Sequence, residues 1–342
     1  MFDNITASTA DTEEWWVLQT IWYRVLQVTL LTIAVLLSIV ANGFSIIVIR
    51  MAKQISDATK VLMYSLAFGY ICQHLFYGIP LIGSTAIGYW PYGPYLCFVF
   101  AFGMYLFNFG TLCTIFALNI DRYIAVSNPL RYQDLMTENI AAILVTCGWA
   151  FSLIFCILNG FLPYQAAFYK PDYRFCFMDP VDDEVVDIVG MLAVLLLIVV
   201  PILASVLVYR KLIMIARHHV RQIAAIDNRV NGGGGNTAAE RERLMNRKSA
   251  TAFLLVTVGF VVSWILFIIA IGYEYVTHKE PPILPWFANL TVISGTSWNV
   301  FIYYWKNEAF RRPARKLIPR RWRRVNSVAD DSGNTASSNL DP

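Results

Sequence analysis

The sequence predicts an all-α membrane protein, a seven-transmembrane helix bundle followed by a short amphipathic eighth helix. Three observations carry that prediction. The 342 residues are 57% hydrophobic and only 15% charged, with a mean hydropathy of +0.52, against about 25% charged in a soluble domain. The apolar residues gather in long runs without Asp, Glu, Lys or Arg, and one bilayer crossing needs roughly 20 such residues. The basic residues divide unequally between the two sets of connecting segments. The first two observations exclude a water-soluble enzyme.

Charge places the spans, because Asp, Lys or Arg at a bilayer centre costs about 2.5–3.5 kcal/mol. Residues 25–49, 140–169, 188–209, 249–273 and 281–305 are charge-free runs of one crossing each. The run 61–120 holds two, divided by Gly88-Tyr-Trp-Pro-Tyr-Gly-Pro94, since glycine and proline punctuate helices. The seven helices are expected at about 24–51, 58–86, 94–127, 139–163, 187–217, 246–275 and 282–305.

An odd number of spans puts the termini on opposite sides. Of the 27 Lys and Arg, only Arg24, Lys170, Arg174 and Lys279 fall on the side of the N-terminus. Positive residues gather on the cytoplasmic face, so the C-terminus is expected inside and residues 1–23 outside. The external tail carries a glycosylation sequon, Asn4-Ile-Thr6. Asn289-Leu-Thr291 fits the same pattern but lies within the seventh span. Residues 217–247 include Gly232 to Gly235 and read as a flexible linker. Residues 306–318 set Phe310 and Leu317 among basic residues, the pattern of an amphipathic helix lying on membrane lipid. Residues 319–342, rich in Ser and Asp, read as a disordered cytoplasmic tail.

Of the six cysteines, Cys72, Cys113, Cys147 and Cys156 fall inside spans, where each is a small apolar residue. Cys97, at the outer end of the third span, and Cys176, in the long loop after the fourth, both face the oxidising side and are expected to bond. Such a bond would pin that loop over the bundle. No cysteine has a histidine at metal-ligand spacing, so no metal site is expected.

Two rival classes find little support. A transporter or channel places ionisable groups near the midplane and often repeats itself internally; here the midplane holds amides and His74, and no repeat is visible. An intramembrane enzyme needs a metal or a nucleophile with its base, but His74, His218, His219 and His278 are scattered over membrane, cytoplasm and exterior.

At the inner end of the third span stands Asp121-Arg122-Tyr123, followed by Ile-Ala-Val-Ser-Asn-Pro129-Leu130. Cys97 lies 25 residues before Arg122, about 37 Å along a helix at 1.5 Å per residue, so cysteine and motif sit at opposite faces. This string resembles that of the rhodopsin-like (class A) G protein-coupled receptors, over roughly residues 25–318. Asn42, Leu66-Ala67, Trp90, Trp149, Pro201, Tyr209, Phe260-Val-Val-Ser-Trp264 and Asn299-Val-Phe-Ile-Tyr303 stand where that family has them.

The resemblance implies a plasma-membrane receptor that binds an extracellular small molecule or peptide and activates heterotrimeric G proteins. Its switch would comprise Asp121, Arg122, Tyr123, Pro129, Tyr209, Phe260, Trp264, Asn299 and Tyr303. Arg122, held by Asp121 at rest, would swing toward Tyr209 and Tyr303 as the sixth helix moves outward. The ligand pocket would be lined by Met104, Tyr105, Asn108, Trp264, Phe267, Ile271, Asn289 and Ile293. Met104 replaces the Asp of amine receptors, which disfavours an amine ligand. Ile293 replaces the lysine of opsins, which excludes a retinal Schiff base. Asp179, Asp182, Asp183, Glu184 and Asp187 with Glu274 form either an attraction for a basic peptide or a solvated loop, and the latter is the simpler reading. The tail residues Ser327, Ser332, Thr335, Ser337 and Ser338 are equally read as sites for receptor kinases and arrestin or as plain disordered chain. Neither a cofactor nor a nucleic acid is implied.

Three departures mark a divergent member. Tyr70 replaces the aspartate that binds sodium in the family, and Leu266 and Val300 replace prolines that kink the sixth and seventh helices. Straighter helices are the expectation. No acidic partner for Arg122 stands at Asn246, Arg247 or Lys248, so the resting lock would rest mainly on Asp121.

Overall fold

The computed structural model describes residues 21–160, 167–178, 238–277, 279 and 283–317, together with 203, 206, 207, 210 and 214. The expected fifth span, Asn4, Tyr209, the acidic run 179–187 and the tail serines lie outside the described residues. Within them, α1 is Ile21–Met51, α2 Asp57–Ile87, α3 Gly93–Ser127 and α4 Glu138–Gly160. The sixth predicted span is carried by α5, Ala238–Thr277, and the seventh by α6, Leu284–Lys306. The amphipathic segment is α7, Glu308–Leu317, whose Phe310 is fully buried against Tyr303. Between α4 and α5 a hairpin pairs β1, Ala167–Lys170, antiparallel with β2, Phe175–Met178.

Local chemistry sets most of these limits. The Ser56 hydroxyl caps α2 by accepting from the Thr59 amide. Gly93, at φ +77°, lets the chain turn into α3, with Pro94 in its first turn. Helix α5 begins eight residues earlier than expected, since Ala238 to Met245 are mostly strong helix formers. Helices α5 and α6 run unbroken through Leu266 and Val300. Helix α2 departs from the expected plain helix: a π turn, His74–Gly78, interrupts it just before Pro80. That widening accommodates a residue with no N–H to give and a ring that crowds the preceding turn.

Helix α3 packs against α2 and α4, and α6 against α5 and α1. The bundle is apolar on its outer face, and within its apolar core polar side chains pair with one another. Leu36, Val40, Ile143, Phe151, Ile154 and Val262 face outward, as hydrocarbon permits and water does not. Inward, Ser38 Oγ lies 2.5 Å from Thr296 Oγ1, and Asn42 Nδ2 donates to the Ser38 carbonyl at 2.9 Å. Trp149 Nε1 donates to Ser65 Oγ at 3.0 Å, which lies 3.0 Å from Thr114 Oγ1. With no water in the bilayer, such groups must satisfy one another.

Close approach depends on glycine. A Cβ on Gly110 would overlap the Trp149 ring, whereas one on Gly43 would meet nothing within 4 Å. Gly110→Ala should therefore cost about 1–3 kcal/mol and lower the melting temperature of the detergent-solubilised protein by several degrees, with Gly43→Ala as the silent control.

Candidate functional site

The nominated residues separate into two clusters, one at each end of the bundle. At the first, Asp121 is fully buried and Arg122 is 9% exposed. Arg122 donates to Asp121 Oδ2 from Nε at 3.0 Å and from Nη2 at 2.5 Å. Two residues that the sequence did not nominate complete the arrangement. Thr59 on α2 donates to the same Oδ2 at 2.9 Å and accepts from Arg122 Nη2. Tyr132, in the helical turn Tyr132–Leu135 after α3, donates to Oδ1 at 2.6 Å. Ser56 Oγ lies 2.8 Å from the Tyr132 hydroxyl. Burial, and then the Asp121 charge, raise the Tyr132 phenol above its ordinary pKa, which keeps it a donor. Both carboxylate oxygens are thus occupied from three elements, so the lock is broader than the Asp121–Arg122 pair alone.

Tyr303 is buried on α6 within electrostatic reach of Arg122, and Asn299 faces the buried Tyr70. Tyr123 is half-buried, and Pro129 opens the 3-10 turn Pro129–Arg131. A tie between α3 and α5 lies one turn deeper: Asn119 Nδ2 donates to Thr257 Oγ1 at 3.1 Å. The sequence search for such a partner stopped at the charged foot of the sixth span and missed this neutral pair.

From there an aromatic column climbs α5. Phe260 and Trp264 have ring centroids 6.1 Å apart, and Trp264 and Phe267 5.4 Å. It leads to the second cluster, at the disulfide end, where Met104, Phe267, Asn289 and Ile293 are buried together with Trp264 and Tyr105 at their margin. Asn108 is buried beside them, but its amide accepts from Gln73 Nε2 and donates to the Met104 carbonyl, both at 2.8 Å. Ile271 does not line this cluster. The inward stripe of α5 runs through Ser263, Phe267 and Ala270, which leaves Ile271 on the flank and 38% exposed.

The expected disulfide is present, with Cys97 and Cys176 Cα atoms 5.4 Å apart. It does more than hang a loop above the bundle. The hairpin enters it, burying Tyr173 and Phe175 in the same cluster as Met104 and Ile293. The Tyr173 ring lies 5.7 Å from that of Phe267, and Phe175 meets Tyr77 edge-on at 4.7 Å. Asn289 is spent on this contact: Nδ2 donates to the Tyr173 carbonyl at 2.8 Å, and Oδ1 accepts from the Tyr77 hydroxyl.

Comparison with known proteins agrees with this geometry. The chain matches the family described as 7 transmembrane receptor (rhodopsin family) over residues 41–301 and belongs to that family. Thyrotropin-releasing hormone receptor of Mus musculus is 32% identical over 140 residues, 41% of this chain and 36% of that receptor. The chain thus spans about a third of that relative's length. Trace amine-associated receptor 9 of Mus musculus is 24% identical over 318 residues, covering 87% of this chain and 85% of the relative. In fold, the chain is similar to the crystal structure of squid rhodopsin, with a TM-score of 0.72, 19% identity and 93% of each chain covered. The protein is a multi-pass membrane protein of a receptor family, and its relatives are receptors rather than enzymes.

Proposed function

We propose that the chain is a plasma-membrane receptor with its N-terminus and disulfide end outside, which binds a ligand among Met104, Tyr105, Asn108, Trp264, Phe267, Asn289 and Ile293 and activates heterotrimeric G proteins. The observation that carries the reading is Arg122, buried and paired at the opposite end of the bundle. A buried guanidinium is costly unless hydrogen-bonded; Asp121 precedes Arg122 on α3, whereas Thr59 stands on α2, so a shift of helices can part Arg122 from Thr59. When α5 moves away from α3, the Asn119–Thr257 tie parts, Arg122 turns toward Tyr303 and Tyr209, and a cleft opens for the transducer. Phe260 and Trp264 pass the motion down from the pocket. Receptor kinases and arrestin are proposed partners of the tail, and anionic lipid of the basic face of α7, which bears Arg311, Arg312, Arg315 and Lys316.

One relative is named for trace amines. None of the residues proposed for the pocket is charged, and Met104 stands where a carboxylate would hold an ammonium, which disfavours a cationic amine as ligand. The test is to express the chain with an epitope tag at the N-terminus, alongside a panel of G protein dissociation sensors, and to screen ligands. The tag should bind antibody on intact cells, and at least one sensor should respond. A tag reached only after permeabilisation would overturn the orientation; silence of every sensor under every ligand would overturn the coupling.

A further inference from the structure

Of the four cations at the disulfide end, Arg24, Lys170, Arg174 and Lys279, two converge on one backbone position. Lys170 is already committed, in an ion pair with Glu274 of α5. Arg174, at φ +54°, donates from Nη1 to the Gly88 carbonyl at 2.5 Å, and its own carbonyl accepts from Ser84 on α2. A non-glycine residue in the left-handed region persists only where the surroundings hold it, so this guanidinium is fixed in place. The Arg24 guanidinium, from the first turn of α1, lies flat over the same residue. A Cβ on Gly88, which closes α2 at φ +95°, would stand 3.3–3.4 Å from Arg24 Nη1, Nη2 and Cζ alike. Two positive groups at one carbonyl repel each other, and a helix C-terminus offers them only about half a negative charge. Among the described residues no carboxylate lies within ion-pair distance of Arg24.

Two buried donors stand beside these arginines. Thr85 and Trp286 are 2% and 8% exposed, and neither Thr85 Oγ1 nor Trp286 Nε1 has a hydrogen-bond partner among the described residues. Thr85 follows Ser84, which holds Arg174, and the Trp286 ring lies 6.4 Å from that of Tyr23, the neighbour of Arg24. The Tyr77–Asn289 bond joins α2 to α6. Outward from it, Thr85 stands two turns along α2 and Trp286 one turn along α6. Side chains lean toward the N-terminus of their helix, and these helices run in opposite directions, so the hydroxyl leans inward and the indole outward. A buried donor without an acceptor is costly.

Resting on the receptor reading above, we propose that Arg24, Arg174, Thr85 and Trp286 form an oxyanion subsite at the rim of the ligand pocket, and that the ligand is an organic carboxylate whose apolar body points toward Asn289. All four groups donate, and an oxyanion accepts from each by charge-assisted hydrogen bonds. The hairpin stays seated, and Lys170 keeps Glu274. The carboxylate comes from outside and not from the bilayer, because a lipid phosphate reaches the partly exposed Arg24 but not the buried Thr85 and Trp286.

The test is direct binding to the full chain, purified in phosphatidylcholine nanodiscs and titrated with 6-phenylhexanoate, 6-phenylhexanol and 6-phenylhexylamine. The native chain should bind the acid about tenfold or more tightly than the alcohol, and the acid should raise its melting temperature. Arg24→Gln and Thr85→Val should each erase most of that preference, and Arg24→Glu should reverse it in favour of the amine. Arg24→Lys, which keeps the charge, should retain the preference and so guards against reading a misfolded variant as a lost site. If the arginines only cap α2, Arg24→Gln lowers the melting temperature of the unliganded protein and leaves the preference intact, and the proposal falls. Equal binding of acid and alcohol by the native chain also overturns it. So does loss of the preference in phosphatidylglycerol nanodiscs, which would assign the arginines to lipid phosphate. The binding readout needs no G protein, so a chain that holds the acid but is silent on every sensor fails as a receptor and not as an oxyanion site.

Discussion

Arg122→Ala should abolish G protein activation while leaving most of the protein at the cell surface. The asymmetry follows from what remains. Removing one member of a buried ion pair commonly costs about 3–5 kcal/mol, because the other charge is left stranded. Here Asp121 keeps the Tyr132 hydroxyl on Oδ1 and the Thr59 hydroxyl on Oδ2, so the loss to the fold is smaller than that. No other cation among the described residues stands beside Asp121, so the loss to signalling is not compensated. Asp121→Asn should act in the opposite sense. It keeps the volume but gives up the charge that holds Arg122, so ligand-independent signalling should rise by a factor within the usual range for coupling between sites, about 5- to 150-fold. Both are read with dissociation sensors at matched surface expression. Normal ligand-driven signalling by Arg122→Ala, or a silent Asp121→Asn at native surface level, would remove the switch from this end of the bundle.

Tyr132 and Thr59 also show where sequence reasoning stops. The Asp121–Arg122 pair, the spans and the disulfide were legible because each rests on a local pattern: adjacent opposite charges, charge-free runs, and the two cysteines left outside the membrane. Thr59 and Tyr132 lie 62 and 11 residues from Asp121. Which hydroxyls complete a carboxylate is decided by how α2 and the turn after α3 pack, and no spacing encodes that. The same holds for Asn119 with Thr257, 138 residues apart and both neutral. The π turn in α2 was hidden because Pro80 alone allows either a kink or a wider turn. Ile271 was misplaced for a related reason: two turns above Trp264 it shares that residue's flank, and only the packing of α5 on α6 shows that the inward stripe passes through Ala270. For the hairpin a signal did exist. Tyr173, Phe175 and Phe177 alternate in an external segment that has no need of large apolar rings. Such alternation marks a face that will be covered, although not what covers it.

The second large effect is expected from Cys176→Ser, which should cut surface delivery severalfold and expose the pocket in whatever protein does arrive. The disulfide closes a segment of 79 residues, for which chain entropy alone assigns about 4.5 kcal/mol. Two membrane spans already restrain that segment, so the global term is smaller and the local consequence greater. Without the bond, the hairpin is held by the Lys170–Glu274 pair, two contacts of Arg174 and the single Asn289 bond. The ion pair is partly exposed, with side chains 20% and 25% accessible, and pairs of that kind contribute about 0–1 kcal/mol. Anchors of that size do not hold two aromatic rings in a pocket against the freedom of the loop. Cys97→Ser/Cys176→Ser should match either single variant, because the effect belongs to the bond and not to a stray thiol. Antibody binding on intact against permeabilised cells gives the surface fraction, and the rate at which Met104→Cys reacts with a membrane-impermeant thiol reagent in each background gives the shielding of the buried Met104 position. A double variant that reaches the surface at the native level with its thiol still shielded would mean that packing alone seats the hairpin, and that the disulfide is dispensable to it.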